Sequence, residues 1–122
     1  MATLLVNTGK AIVTNYLAGG AATQPKYVAW GTGSGTTAIT DTTLFTETGS
    51  RVSGTTTQVT TTTTNDTYQV VGTQTAGTTL AITNAGLFDA STSGNLFVKG
   101  DFSTINLTSG DSIQFTFKTQ FS

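Results

Sequence analysis

The last stretch of the chain, residues 111–121, alternates apolar and polar side chains with a period of two. The apolar positions are Ile113, Phe115, Phe117 and Phe121. In a β-strand this period places all four on one face. Burial of each large apolar side chain contributes about 1.5–3 kcal/mol, so this face requires a second layer to pack against. The pattern therefore predicts a strand in a layered β-fold.

Composition indicates the same fold class. Threonine is the commonest residue, and 122 residues with 14 Gly and one Pro suffice for one domain with one core. Thr, Val, Phe and Tyr favour pleated, half-buried strands. Disorder is rejected because 36% of residues are hydrophobic and the aromatics fall at strand spacing. We predict an all-β, single-domain antiparallel β-sandwich, jelly-roll-like, with one short N-terminal helix.

Turn-forming residues divide the rest of the chain into seven or eight short strands. Asn65-Asp66 predicts one hairpin turn, and residues 90–94 predict another. Residues 41–45 are expected to form a capped single turn. The predicted strands or extended pieces cover residues 26–30, 51–64, 67–75, 80–82, 86–89, 96–102 and 111–121.

The N-terminal region has the pattern of a short helix after an edge segment at residues 3–6. Asn7 or Thr8 is the expected cap, and Gly19-Gly20 the expected stop. The apolar stripe at helical spacing consists of Ile12, Val13, Tyr16 and Leu17. We predict an N-terminal arm and helix at 1–20 and the β-sandwich domain at 21–122. An arm that orders only against a neighbouring subunit is the alternative.

Threonines occupy both faces of the predicted strand at residues 54–64, so neither face is obviously core. Such a strand has a weakly specified register. A solvated hairpin tip explains this stretch, and contact with a partner chain is the alternative.

Charge and cysteine content exclude several classes of function. The net charge is −1, and the five basic residues are scattered, so a nucleic-acid partner is not expected. No signal peptide or membrane-spanning segment is recognisable, so no membrane partner is expected either. The absence of Cys excludes disulfides and thiolate metal sites. A surface with 9% charged residues is poorly protected against association, which favours an oligomer or a stable partner.

Two loops invite comparison with ligand-binding motifs. Residues 31–35 are glycine-rich after a strand, but they lack the Lys and the helix start of a phosphate-binding loop. Residues 89–94 resemble the start of a calcium loop, but position twelve is Gly100. We predict no cofactor and no metal.

The sequence favours a protein that is not an enzyme, with no catalytic residues. It contains no His and no Cys, so an activated nucleophile would need Lys or a carboxylate as its base. A glycosidase pair of Asp89 and Asp101 stays open, but no aromatic-lined cleft is indicated around it. Glu47 and Arg51 are expected to form a local ion pair, and the single Trp30 is expected in the core rather than as an exposed binding anchor.

Three segments together carry a resemblance to a known class of protein. They are residues 26–33, residues 41–44 with Glu47 and Arg51, and residues 82–90. The closing strand that begins at residues 110–113 and the N-terminal helix fit the same pattern. The chain resembles small virion structural proteins of tailed bacteriophages, which are capsid decoration (cement) or tail-fibre components.

The resemblance implies a capsid cement protein that binds the major capsid protein on the virion exterior and stabilises the assembled shell. It implies a homo-oligomer, with a trimer favoured. A tail-fibre or baseplate module, which could be receptor-binding, is the alternative, and a carbohydrate-binding β-sandwich is a third class. The residues expected to contact an oligomer mate or partner are Leu4, Leu5, Tyr16, Thr56, Thr61 and Thr63.

Overall fold

The computed structural model describes residues 2–122, so Met1 of the predicted arm lies outside the described residues. Within them it contains eight strands and one helix, which confirms the predicted antiparallel all-β sandwich with a short N-terminal helix. The elements are β1 (Ala2–Leu5), α1 (Asn7–Leu17), β2 (Tyr27–Gly31), β3 (Glu47–Ser53), β4 (Thr55–Val59), β5 (Thr67–Thr75), β6 (Leu80–Phe88), β7 (Leu96–Leu107) and β8 (Ser112–Gln120).

Two antiparallel sheets of unequal width form the sandwich. The wide sheet has the strand order β1-β7-β6-β2-β3, and the narrow sheet has the order β4-β5-β8. The predicted edge segment at the N-terminus is β1, which pairs with β7. The division into an arm at 1–20 and a domain at 21–122 stays a prediction.

The core lies between the two sheets. Val28 and Leu87 of the wide sheet pack against Val70 of the narrow sheet, and all three are fully buried. Trp30 is 2% exposed, as expected for a core residue, and its ring meets Phe115 edge-to-face at a centroid distance of 6.3 Å. Aromatic pairs of this geometry add to the free energy of burial.

A long connection between β2 and β3, residues 32–46, covers part of the outer face of the wide sheet. We call it the strap. Leu44 of the strap is buried together with Phe88 and Leu96 of the sheet beneath it. Asn84 holds the strap by accepting from Phe45 N–H and donating to its carbonyl oxygen, each at 3.0 Å. The predicted single turn at residues 41–45 is instead irregular backbone, because these hydrogen bonds go to the sheet.

A buried glutamine joins the two sheets. The pairing of β2 with β3 shifts register between Val28 and Trp30, which interrupts the ladder there. Gln74 of β5 is 4% exposed, and its Nε2 donates to Val28 O at 2.8 Å and to Ser50 O at 3.1 Å. The side chain thus satisfies two carbonyl groups at the shifted site.

The predicted continuous strand over residues 51–64 is wrong. The chain leaves the wide sheet at the end of β3 and enters the narrow sheet as β4, with Gly54 between them. A Cβ at Gly54 would lie 2.5 Å from Val70 Cγ1, so the crossing requires glycine's small size. Residues 60–64 form bends and a turn, because their backbone N–H groups bind the Asp66 carboxylate.

Helix α1 follows β1 directly and packs on β7. The N-cap is Val6 rather than the expected Asn7 or Thr8, because the first backbone hydrogen bond of the helix runs from Lys10 N–H to Val6 O at 3.0 Å. Thr8 Oγ1 instead donates to Leu96 O at 2.5 Å. Ile12 is the buried member of the predicted apolar stripe. None of the helices in the described part of the chain is long and apolar enough to span a membrane.

Candidate interaction surface

The two long sides of the sandwich differ because one sheet is wider. On one side the chain passes from β3 to β4 through Gly54, so the sheets are joined; we call this the closed side. On the opposite side the edges are β1 and β8. Phe115 of β8 contacts Trp30 of β2 and Phe102 of β7, which places β8 over the middle of the wide sheet. Strand β1 therefore extends beyond β8, and we call this the open side.

The overhang creates a trough of about 490 Å³ along the open side. Its floor comes from the inward-facing residues of β1 and β7, and its wall comes from β8. The residues that define it are Thr3, Leu5, Val98, Gly100, Phe115 and Phe117. The two phenylalanines stack at a centroid distance of 6.0 Å and are half-buried, so their rings remain partly open to the trough.

The wall of the trough is a long unpaired strand edge. Strand β8 pairs with β5 in one continuous register from Ser112↔Thr75 to Gln120↔Thr67. Among the described residues no strand pairs with the other edge of β8. Its nine residues carry one charge, Lys118, which also lines the trough. Such an edge presents a row of free backbone donors and acceptors.

A second apolar recess of about 410 Å³ lies between α1 and the end of β8; we call it the crevice. Tyr16, Leu17 and Phe121 line it and are 45%, 82% and 48% exposed. The sequence pattern predicts Phe121 to be buried with the last strand, but it lies after the last residue of β8 and faces this recess instead. Tyr68, at its base, donates its hydroxyl proton to Pro25 O at 2.8 Å, and burial raises the pKa of this phenol.

The threonine-rich stretch is organised by one carboxylate. Asp66 accepts backbone N–H groups from Thr61 at 2.8 Å, from Thr62 at 3.1 Å and from Thr63 at 3.0 Å. These hydrogen bonds, with the one from Thr63 first, hold the pKa of Asp66 well below its usual range. The loop is exposed and has a defined local structure. Its threonines bind Asp66 through their backbone N–H groups and do not pair in a strand.

The structure places the six predicted contact residues in four separate regions. Leu4 and Leu5 line the trough, and Tyr16 lines the crevice. Thr56 on β4 accepts a hydrogen bond from Gln24 at 3.0 Å, whereas Thr61 and Thr63 lie in the Asp66 loop. Whether any of them contacts a partner stays a prediction.

Sequence reasoning missed the partly open positions of three aromatic residues, because the alternation of β8 is the same for a central and an edge strand. These residues are Phe115, Phe117 and Phe121. Leu17, the most exposed large apolar residue in the described part of the chain, is predicted from the sequence only as part of a helical stripe. Its position at the end of that stripe, next to Gly19-Gly20, was the available signal.

Two cationic side chains are engaged inside the fold. The side chain of Lys99 is 0% exposed; its Nζ lies 2.9 Å from Asp41 Oδ2 and 3.3 Å from the ring centroid of Phe45. The hydrogen bond from Ala38 N–H and the Lys99 ammonium hold the pKa of Asp41 below its usual range. This ion pair between a fully buried lysine and a partly exposed aspartate fastens the strap to β7.

The second of these cations, Arg51, forms the expected ion pair with Glu47 and is largely buried. Arg51 Nε lies 2.8 Å from Glu47 Oε2, and the Arg51 side chain is 8% exposed. Its guanidinium stacks on Phe88 at 3.6 Å and donates to Ala90 O at 2.8 Å and Ser93 O at 2.7 Å. It therefore fixes the β6–β7 hairpin against β3. In the described residues, Lys10, Lys26 and Lys118 make no ion pair.

The candidate catalytic and calcium residues are engaged in local structure. Asp89 accepts from Asn95 N–H at 2.7 Å and thereby closes the hairpin, and Asp101 accepts from Thr37 N–H at 3.1 Å. The glycine-rich loop is held by Thr83 Oγ1, which donates to the carbonyl oxygens of Gly31 and Gly33. The described residues contain no cluster of three or more His, Cys, Asp or Glu side chains suited to a metal.

The sandwich uses its carboxylates in internal hydrogen bonds and has apolar recesses along one side and at one end. Comparison with protein families identifies the class. Residues 5–120 match the family model of the podophage GP4 fiber I protein gp80. The chain belongs to this family. No curated protein and no solved structure matches the chain.

Membership in this fiber family makes the chain a structural protein of a tailed-phage virion, as the sequence resemblance implied. The match covers α1, the strands from β2 to the last residue of β8, and Leu5 of β1, so it includes most of the trough and the crevice's helical wall. The description names a fiber protein, which agrees better with the tail-fibre alternative than with the capsid cement placed first from the sequence.

Proposed function

We propose that the chain is a component of a phage tail fibre that acts by binding other virion proteins and catalyses no reaction. The family match carries this proposal, because its description names a fiber protein and it extends over residues 5–120. The proposed partner is accordingly a protein of the tail, and the major capsid protein predicted from the sequence becomes the competing partner.

The surface chemistry supports a binding function. All six carboxylates accept hydrogen bonds within the fold. Large apolar side chains, by contrast, remain open at the trough and the crevice. Exposed apolar recesses on a small domain are typical of sites that another protein covers. Because the carboxylates already accept hydrogen bonds within the domain, a partner would be recognised mainly by its shape and by apolar contacts.

The test is deletion of the gene in the phage, followed by electron microscopy of the particles. We expect heads that retain normal heat resistance, loss of fibre density at the tail, and slower adsorption to host cells. Complementation with the intact gene is the control and restores all three. Particles with complete tails whose heads lose DNA on mild heating would instead establish the capsid-cement function.

The homotrimer implied by the resemblance stays a prediction, and sedimentation equilibrium of the purified chain measures it. A fibre built from trimers would give a threefold mass at micromolar concentrations. A monomer would indicate that the apolar recesses are covered by other virion proteins rather than by copies of this chain.

A further inference from the structure

We propose that the open side binds one extended segment of another virion protein, which pairs with the free edge of β8 and fills the trough. This inference rests on the proposed function and specifies how the chain attaches. Addition of a strand to an exposed sheet edge gives affinity through main-chain hydrogen bonds and specificity through side-chain pockets. Both requirements are met by the wall and the floor of the trough.

The shape of the trough fits an extended β-strand. The wide sheet has five strands and the narrow sheet has three. Because β1 extends beyond β8, no described strand of the narrow sheet lies opposite the inner face of β1 and β7. Adjacent strands lie about 4.8 Å apart, so a strand beside β8 would sit directly over Leu5, Val98 and Gly100. Alternate side chains of that strand would point into the trough and pack on Phe115 and Phe117.

The free edge of β8 is regular and unprotected, so it can pair with an added strand. Natural edge strands are usually protected by bulges, proline, short length or several charges. The nine residues of β8 keep one register with β5 over their full length and include one charge and no proline. The neighbouring edge, β1, has four residues and is protected by its shortness. The long unprotected edge therefore lies beside the apolar floor.

The occupant is a different chain rather than a second copy. If two copies paired β8 with β8 about a two-fold axis, their overhanging β1 strands would occupy the same space. Every alternating apolar segment within the described residues is already paired in a sheet, so a second copy has no free strand to donate. The one charge on β8, Lys118, is without a carboxylate partner in the described chain. The bound segment should therefore carry an Asp or Glu opposite it.

Site-specific cross-linking on assembled particles tests this proposal. The chain contains no Cys, so Thr116→Cys on β8 and the matched control Thr57→Cys on β4 each create a single thiol for a benzophenone label. Both positions are exposed strand positions of the narrow sheet, at its two opposite edges. After irradiation, we expect label at position 116 to join a peptide of another virion protein, with a yield about tenfold above that from position 57.

The outcomes separate the two proposals. Cross-links to an extended segment of a tail protein support both. Cross-links to such a segment of the major head protein support strand addition and overturn the fibre assignment. Cross-links to another copy of this chain, or equal yields from the two positions, overturn strand addition and leave the fibre assignment standing.

Hydrogen exchange of the unmodified chain gives a second measurement. In the free protein, alternate amides of β8 lack a partner in β5, so we expect them to exchange fast. In particles they should slow by about a hundredfold or more if a strand pairs with them. Unchanged fast exchange at these alternate amides in particles would overturn the proposal. Lys118→Glu should reduce incorporation into particles, whereas Lys10→Glu on α1 should not.

Discussion

The closed and open sides of the sandwich satisfy their backbones in opposite ways. On the closed side, Gly54 carries the chain between the sheets, and its N–H donates to Lys26 O at 2.7 Å. Nearby, Gln74 supplies the hydrogen bonds that the shifted β2–β3 register lacks. On the open side, the β8 edge and the rings of Phe115 and Phe117 remain without such partners in the described chain. Hydrogen bonds between the sheets therefore hold the closed side, whereas the open side leaves a long strand edge and two aromatic rings uncovered in the described chain.

The largest expected effect tests the closed side with matched glutamines. Gln74→Leu leaves the buried Val28 carbonyl and the carbonyl of the exposed Ser50 without this donor. An unsatisfied buried group costs about 1–3 kcal/mol, so we expect a loss of about 2–3 kcal/mol in the free energy of unfolding. Gln114→Leu on the exposed face of β8 is the control and should change it by less than about 0.5 kcal/mol. Urea denaturation measures both. Equal losses would remove the distinction between the two sides.

Gly54→Ala tests the crossing itself. The added Cβ would lie 2.5 Å from Val70 Cγ1 and 3.1 Å from the carbonyl oxygens of Lys26 and Val71. Overpacking of this kind costs about 1–3 kcal/mol, so we expect a loss of about 2 kcal/mol, measured by thermal or urea unfolding. Gly77→Ala is the control, because a Cβ added at Gly77 would have no neighbouring atom within 4 Å. A stable Gly54→Ala variant would mean that the two sheets can separate slightly without cost.

On the open side, a substitution should affect assembly more than stability. Phe117→Thr keeps a strand-forming residue but removes a half-buried ring, so we expect the purified protein to lose about 1 kcal/mol. Incorporation into particles, quantified by immunoblotting of purified virions, should fall by more than this small loss of stability explains. Ile105→Thr is the control, because Ile105 is 39% exposed and does not line the trough. Normal incorporation of Phe117→Thr would show that the trough is not used.

The smallest expected effect is a change in the pH dependence of the melting temperature. The pKa of Asp66 is lowered in the folded state, so its carboxylate stabilises the fold above the unfolded pKa of about 3.9, and this contribution is lost as pH falls through the folded pKa. Asp66→Asn should therefore lower the melting temperature at pH 6, and the difference from the unmodified protein should shrink below about pH 4. Melting curves between pH 2 and pH 7 measure it. A difference that stays constant down to pH 2 would contradict this assignment.

Local patterns predicted much of the fold because they report local physics. The alternation in residues 67–75 and 111–121 gave the two long strands of the narrow sheet, and Asn65-Asp66 and residues 90–94 gave two of the turns. Helix α1 followed from its apolar stripe. Each of these features depends on neighbours within a few positions in the chain.

The sequence could not reveal features that depend on distant partners. The strand predicted over residues 51–64 failed because Asp66 binds the backbone of the threonine run and Gly54 moves the chain between sheets. The burial of Lys99 depends on Asp41, 58 positions away. The alternation of β8 likewise gave its inward face but not its position at an edge, which decides whether Phe117 is core or binding surface.

The ion pair between the buried Lys99 and Asp41 holds the strap against the sheet. The strap runs from residue 32 to residue 46 without helix or strand, a kind of segment in which proteases usually cut. Lifting it, however, would separate the Lys99 ammonium from Asp41 and from the Phe45 ring that shields it. A small lift would therefore break this ion pair before water reaches the buried Lys99 ammonium, which makes small excursions unfavourable. The connection should yield in a single step rather than by fraying, which is a useful property in a particle that must survive outside its host.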